Sequence, residues 1–222
     1  TTVDGVSYTY VVKDDTTISP VSGVYTFSEL PVYEGTLVNN KYTVDTTNAD
    51  QRFLIKNALA DTTTLKVTVQ NSSTDTTTTT YTKSTDLADV TSTSTVYFLE
   101  GVEDEQYEVV FGDGVLGKAL STGNIVTLSY VVTNGADSNG ASSFTLSGTI
   151  AGSSSATITT ASNSSGGSDP ETPDSIRFNA PRQYASQNRA VTAKDYESRV
   201  KTIFPNAQSV QVWGGEDNST PV

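Results

Sequence analysis

The chain has 222 residues, 35% of them hydrophobic, and a formal net charge of −12. That length holds one or two domains with a core, and 13 Lys and Arg set against 25 Asp and Glu make nucleic acid and anionic membrane poor partners. With no Cys, His or Met, the chain has no disulfide, thiolate nucleophile, imidazole base, Ser-His-Asp triad or His-held metal.

The polar excess is mostly Thr, Ser and Asn, which tilts the expected fold toward strands and turns. Residues 1–46 alternate: Val6, Tyr8 and Tyr10, then Tyr25 and Phe27, then Tyr42 and Val44, fall at period two, with turn signals at Gly23 and Gly35. They are read as an N-terminal β segment.

Residues 47–168 are read as a β-rich domain with a Thr/Ser-rich insertion. Residues 52–56 and 64–70 form two expected strands joined by a turn over Asn57–Thr63. In the second, Leu65, Val67 and Val69 point one way while Thr64, Lys66, Thr68 and Gln70 point the other. Residues 71–95 suit either a mobile linker or an exposed edge hairpin. Next come a buried strand (VYFLE), a charged turn (EDEQ), a strand (YEVVF), a glycine turn (GDGVLG) and a strand (NIVTLSYVV), a meander by its spacing. Two further strands are expected over 143–150 and 156–160, and 162–168 reads as a flexible linker.

Residues 169–222 are read as a small α+β unit. Thr172 before Pro173 marks a helix start, and Pro181 is expected to end that helix after about two turns. A second helix begins at the Thr192 N-cap, with Asp195 three residues on as a variant capping box. Tyr196, Val200 and Ile203 form its apolar stripe. SVQVW then gives a strand. The fold class expected is therefore mainly β, an antiparallel sandwich or meander, followed by helix, loop, helix and strand. Beginning at Thr1 and stopping soon after a turn-like GGEDNS, the chain is expected to be an internal piece of a longer protein. No apolar run nears the roughly 20 residues that span a bilayer, and no leader-like stretch opens it, so a soluble piece is expected.

Few residues offer chemistry. Glu103, Asp104, Glu105 and Asp113 are the evident carboxylates, and they sit in turns with no sign of the cleft that a paired-carboxylate hydrolase needs. FGDGVLG lacks the regular Asp spacing and closing Glu of a calcium loop. Lying between strands, its Gly112, Gly114 and Gly117 do not form a phosphate cradle, which would open a helix. Asp113-Gly114 instead signals a hairpin turn. The sequons at Asn71, Asn163 and Asn218 are uninformative without their cellular context. Arg177, Arg182, Arg189 and Arg199 are expected in ion pairs within the chain or with a neighbouring subunit. No cofactor or metal is expected, and no enzymatic activity. The acidic surface suits solubility or docking on basic patches of another protein.

Several stretches together resemble the T4-type phage baseplate wedge proteins, related to the baseplate J-like proteins of contractile tails. They are residues 32–45, 52–70, 96–120 with Tyr107, Phe111, Gly112, Asp113, Gly114 and Gly117, and 169–200 with Ile176, Arg177, Ala180, Pro181, Arg189, Ala190, Val191, Thr192, Asp195 and Tyr196. FGDG alone is weak; FGDG followed by the AVTAKDYE run is specific. The resemblance implies a structural part in a virion tail baseplate assembled in the host bacterial cytoplasm. Its implied partners are other wedge proteins and a sheath-initiator protein, with a homo-oligomer, a dimer, building the ring around the tail hub. Subunit interfaces would then repack on contraction. Two alternatives remain open on the residues alone: a receptor-binding or adhesin β domain of a tail fibre or cell surface, and a carboxylate-dependent glycan hydrolase.

Overall fold

The computed structural model describes residues 1–186, 189–204, 207 and 209–214. In chain order the strands are β1 (Thr2–Val3), β2 (Val6–Ser7), β3 (Tyr10–Val11), β4 (Tyr33–Glu34), β5 (Thr36–Thr43), β6 (Phe53–Ile55), β7 (Ala60–Gln70), β8 (Thr78–Lys83), β9 (Val96–Gly101), β10 (Tyr107–Phe111) and β11 (Ile125–Val132). Two helices follow, α1 (Pro173–Ser186) and α2 (Ala193–Ile203). The mainly β body with a small helical C-terminal unit matches the expected class. Two compact units separate within the chain: Thr1–Asn134 with Ala141–Asn163, and Gly135–Gly140 with Ser164–Val222.

The first unit is built on a seven-stranded sheet of order β5-β11-β7-β8-β9-β10-β6. Strand β11 is its spine: IVTLSYVV is β-branched or aromatic at six of its eight positions and pairs antiparallel with both β5 and β7. Strand β5, from the expected N-terminal segment, thus lies within the main sheet. The ambiguous Thr-rich stretch supplies β8, where Tyr81 is buried between threonines.

The expected meander is interrupted twice. Strands β8 and β9 pair parallel, Thr82 with Val96 and Lys83 with Tyr97, which a tight hairpin cannot connect. Strand β10 pairs with β9 and β6 and not with β11, so the glycine turn after β10 is no hairpin between neighbours.

The sheet curls until its two edge strands meet. Tyr42 of β5 donates its hydroxyl to the Leu54 carbonyl of β6 at 2.7 Å, and the Gln51 amide donates to the Thr43 carbonyl at 2.7 Å. A chain of edge-to-face rings, Tyr42–Phe53–Phe111–Tyr81, with centroids 5.6, 5.3 and 5.4 Å apart, crosses this seam. The seam is therefore closed by side chains and not by ladder bonds. Ile55, Val67, Val109, Val126 and Leu128 are buried in the core beside it.

Register in β7 departs from simple alternation. Thr64, expected on the polar face, is fully buried. Between Ser129 and Val131 the β11–β7 register shifts at a bulge, with Thr62–Leu65 of β7 set against Tyr130 alone of β11, and such extra residues redirect the side chains around them. The Thr64 hydroxyl makes the burial tolerable: it accepts from the Val131 amide at 2.9 Å and donates to the Asp61 carbonyl at 2.7 Å. The turn before β7 is also shorter than Asn57–Thr63, since the strand begins at Ala60.

Residues 143–150 and 156–160 form no strand; an antiparallel bridge between Ile150 and Ser153 lies there. Their Ser, Thr and Gly content provides few apolar groups to bury. Nor are residues 164–167 a free linker. Within the second unit, the Asn139 amide donates to the Gly167 carbonyl at 2.8 Å and accepts from the Gly167 amide at 3.0 Å. Ser164 donates to the Ser138 carbonyl at 2.6 Å, and Gly140 donates to the Ser164 carbonyl at 2.9 Å. A six-residue turn after β11 thus clasps the segment leading to the helices.

Helix α1 starts as expected, with the Thr172 hydroxyl accepting from the Ser175 amide at 3.3 Å. It does not stop near Pro181 but runs through it to Ser186. The missing proline N–H forfeits one helical bond, and one turn away Arg182 donates to the Phe178 carbonyl at 2.7 Å while stacking on the Phe178 ring. The expected SVQVW strand has no ladder partner among the described residues, although Val210 and Val212 are half-buried and Trp213 is exposed; within it the Val212 amide donates to the Glu197 carboxylate at 3.2 Å.

Candidate functional site

In FGDGVLG, β10 delivers Phe111 into the seam aromatics, and the chain then turns back on itself. The Asp113 carboxylate accepts the Val115 amide at 2.8 Å and the Leu116 amide at 2.9 Å. These N–H bonds, Leu116 first and Val115 next, hold its carboxyl below the usual carboxylate range. Gly114 donates to the Gly117 carbonyl at 3.0 Å. Gly114 and Gly117 both adopt positive φ, where a side chain is strained. The aspartate is thus occupied as a backbone acceptor.

This loop is anchored to residues that the sequence reading passed over. Gly117 donates to the Thr91 carbonyl at 3.0 Å and Lys118 to the Ser94 carbonyl at 2.8 Å. Thr91 and Ser94 belong to the Ser/Thr-rich stretch, whose low complexity hid their role. No local signal marks such a partner; only the parallel approach of β8 and β9 brings it there.

Tyr107, at the start of β10, pairs with Ile55 on one side and Gly101 on the other, and it packs half-buried against the core. The acidic turn Glu103–Glu105 is a short exposed 3-10 turn, with Asp104 and Glu105 at positive φ. Glu108 is paired with Arg52 at 2.9 Å.

The helical motif residues divide by role. Thr192 and Asp195 form the complete capping box of α2: the Asp195 amide donates to the Thr192 hydroxyl at 3.3 Å, and the Thr192 amide donates to the Asp195 carboxylate at 2.9 Å. The Thr192 amide is also the main cause that holds the Asp195 carboxyl below its usual range. Ile176, Arg177, Ala180 and Pro181 fall within about 140° on one side of α1 by helical geometry, and all four are exposed. The half-buried positions of α1 are instead polar, Ser175 and Asn179. In α2, Val200 is half-buried, whereas Tyr196 and Ile203 of the expected stripe remain exposed. Arg177 pairs with Asp174 at 3.0 Å; Arg189, between the helices, is exposed.

A shallow cleft of about 260 Å³ lies at the seam, lined in part by Val44, Asp45, Gln51, Phe53, Glu108 and Phe111. Among the described residues no group of three or more acidic, His or Cys side chains could hold a metal ion. No helix among them is long and apolar enough to cross a membrane.

Of the motif residues, Asp113, Gly114 and Gly117 in the β body and Thr192 and Asp195 in the helical C-terminal unit thus shape backbone. Residues 192–222 match the family model described as baseplate structural protein gp6, C-terminal domain I. The chain is also 30% identical over 145 residues to the baseplate wedge protein gp6 of Enterobacteria phage T4, an alignment covering 55% of this chain and 22% of that protein. Both findings support the resemblance to T4-type baseplate wedge proteins. The chain spans under a quarter of the curated relative's length.

Proposed function

We propose that this chain is a structural part of a contractile phage tail baseplate wedge and not an enzyme. The observation that carries the reading is the 30% identity over 145 residues to a baseplate wedge protein. The physical features agree with it: an acidic β body and motif carboxylates spent on holding loops and helix ends. In this reading the protein sits in the virion tail after assembly in the host cytoplasm. It joins other wedge proteins and a sheath initiator into the ring around the hub, as a homodimer, and its interfaces repack on contraction. Tyr107 and Phe111 act by packing β10 into the core and seam, and Gly112, Asp113, Gly114 and Gly117 by fixing one loop; Thr192 and Asp195 act by starting α2. Ile176, Arg177, Ala180, Pro181, Arg189 and Tyr196 serve the helical unit.

Electron microscopy of tails from phage lacking the gene tests this. Incomplete or absent baseplates are expected. Normal baseplates in its absence would sink the reading.

A further inference from the structure

We infer that the loop tip Val115–Leu116 is a docking knob for an apolar socket, rimmed by basic side chains, on a partner protein. The inference rests on the baseplate reading for where that partner is found. Val115 is 71% exposed and Leu116 43% exposed, and neither belongs to the core cluster. Two adjacent large apolar side chains therefore stand in water at the end of a loop that the fold holds firmly.

The firmness is the informative part. The amides of Val115 and Leu116 are both fixed by Asp113, Gly114 is tied to Gly117, and Gly117 and Lys118 are tied to Thr91 and Ser94. The backbone of Gly112 lies so close to that of Gly117 that no side chain fits between them. A tip ordered in advance gives up little conformational entropy when it binds. None of these bonds buries the two side chains they present.

Charge decides the kind of socket. Asp113 lies in the loop itself, and the connection between β8 and β9, to which the loop is tied at Thr91 and Ser94, carries Asp86 and Asp89 and no cation; Lys118 is the cation of the loop, and Lys83 ends β8. An acidic surround is repelled by anionic lipid and attracted by Lys and Arg. The site therefore fits a protein pocket with a cationic rim.

The test uses the full-length protein carrying V115C, with maleimide labelling at that site read by mass spectrometry in the free protein and in purified tails. Labelling is expected to be about tenfold slower in tails, equivalent to about 1.4 kcal/mol of protection. V115S/L116S and, separately, D89K are expected to lower incorporation into tails with an unchanged melting temperature. Equal labelling in both states overturns the docking inference alone, as does protection already present in the free protein, which would mean its own chain covers the tip. Tip-dependent binding to phosphatidylcholine–phosphatidylglycerol vesicles also overturns it. Absence of the unsubstituted protein from tails removes the baseplate reading and this inference with it.

Discussion

A β-carbon on Gly112 would stand 2.3 Å from the carbonyl carbon of Gly117. The obstacle is backbone, so no rotamer change relieves it. G112A should therefore destabilise the β body by about 1–3 kcal/mol, as overpacking does. Urea unfolding measures this. The control is G101A, where an added β-carbon meets nothing within 4 Å at an ordinary φ, and which should change stability by under about 0.5 kcal/mol.

Thr64 should be intolerant of an isosteric apolar replacement. T64V leaves the Val131 amide and the Asp61 carbonyl without their partner in the bulge. An unsatisfied buried group costs about 1–3 kcal/mol. T64S keeps the hydroxyl and should recover most of the loss; equal melting temperatures for T64V and wild type would remove the bulge argument.

Acid should weaken the glycine loop through Asp113. Its folded pKa is depressed by the Leu116 and Val115 amides, so its contribution is present above the unfolded value of about 3.9 and fades as pH falls through the lower folded value. The stability difference between wild type and D113N should be largest near neutrality and should shrink below about pH 3.9. A difference that is constant from pH 7 to strongly acid conditions contradicts this.

The capping box makes a local prediction. T192A should cost about 1 kcal/mol of helix stability. Hydrogen exchange of the α2 amides should speed up while that of β7 and β11 stays unchanged, because Thr192 and Asp195 satisfy the first turn of α2 only.

The clasp on residues 164–167 can be opened from one side chain. N139A removes both bonds to Gly167 and should expose the segment to limited proteolysis faster than wild type. An unchanged cleavage rate there would show that other bonds, those of Ser164 among them, suffice to hold it.

Local chemistry made much of this protein legible from its sequence. Strand β10 falls on YEVVF as read, β11 on the β-branched run after it, and the Thr172 and Thr192 caps where Ser/Thr-type N-cap signals placed them. These features depend on neighbours within a few residues, so spacing and residue type suffice. Family motifs in the same stretches also carried the relationship to baseplate wedge proteins, which composition alone does not.

Tertiary structure decided the rest. Only the assembled sheet places β6 beside β10, makes β8 and β9 parallel and brings Tyr42 to Leu54, because those contacts join segments whose local patterns are interchangeable. Thr64 is buried by a bulge whose other half lies on β11. Helix α1 passes through Pro181 although that residue forfeits one helical hydrogen bond. The FGDG loop shows both halves of the lesson. Its turn is written in glycine and aspartate, but its anchors, Thr91 and Ser94, come from a low-complexity stretch that only the folded chain brings within hydrogen-bonding distance.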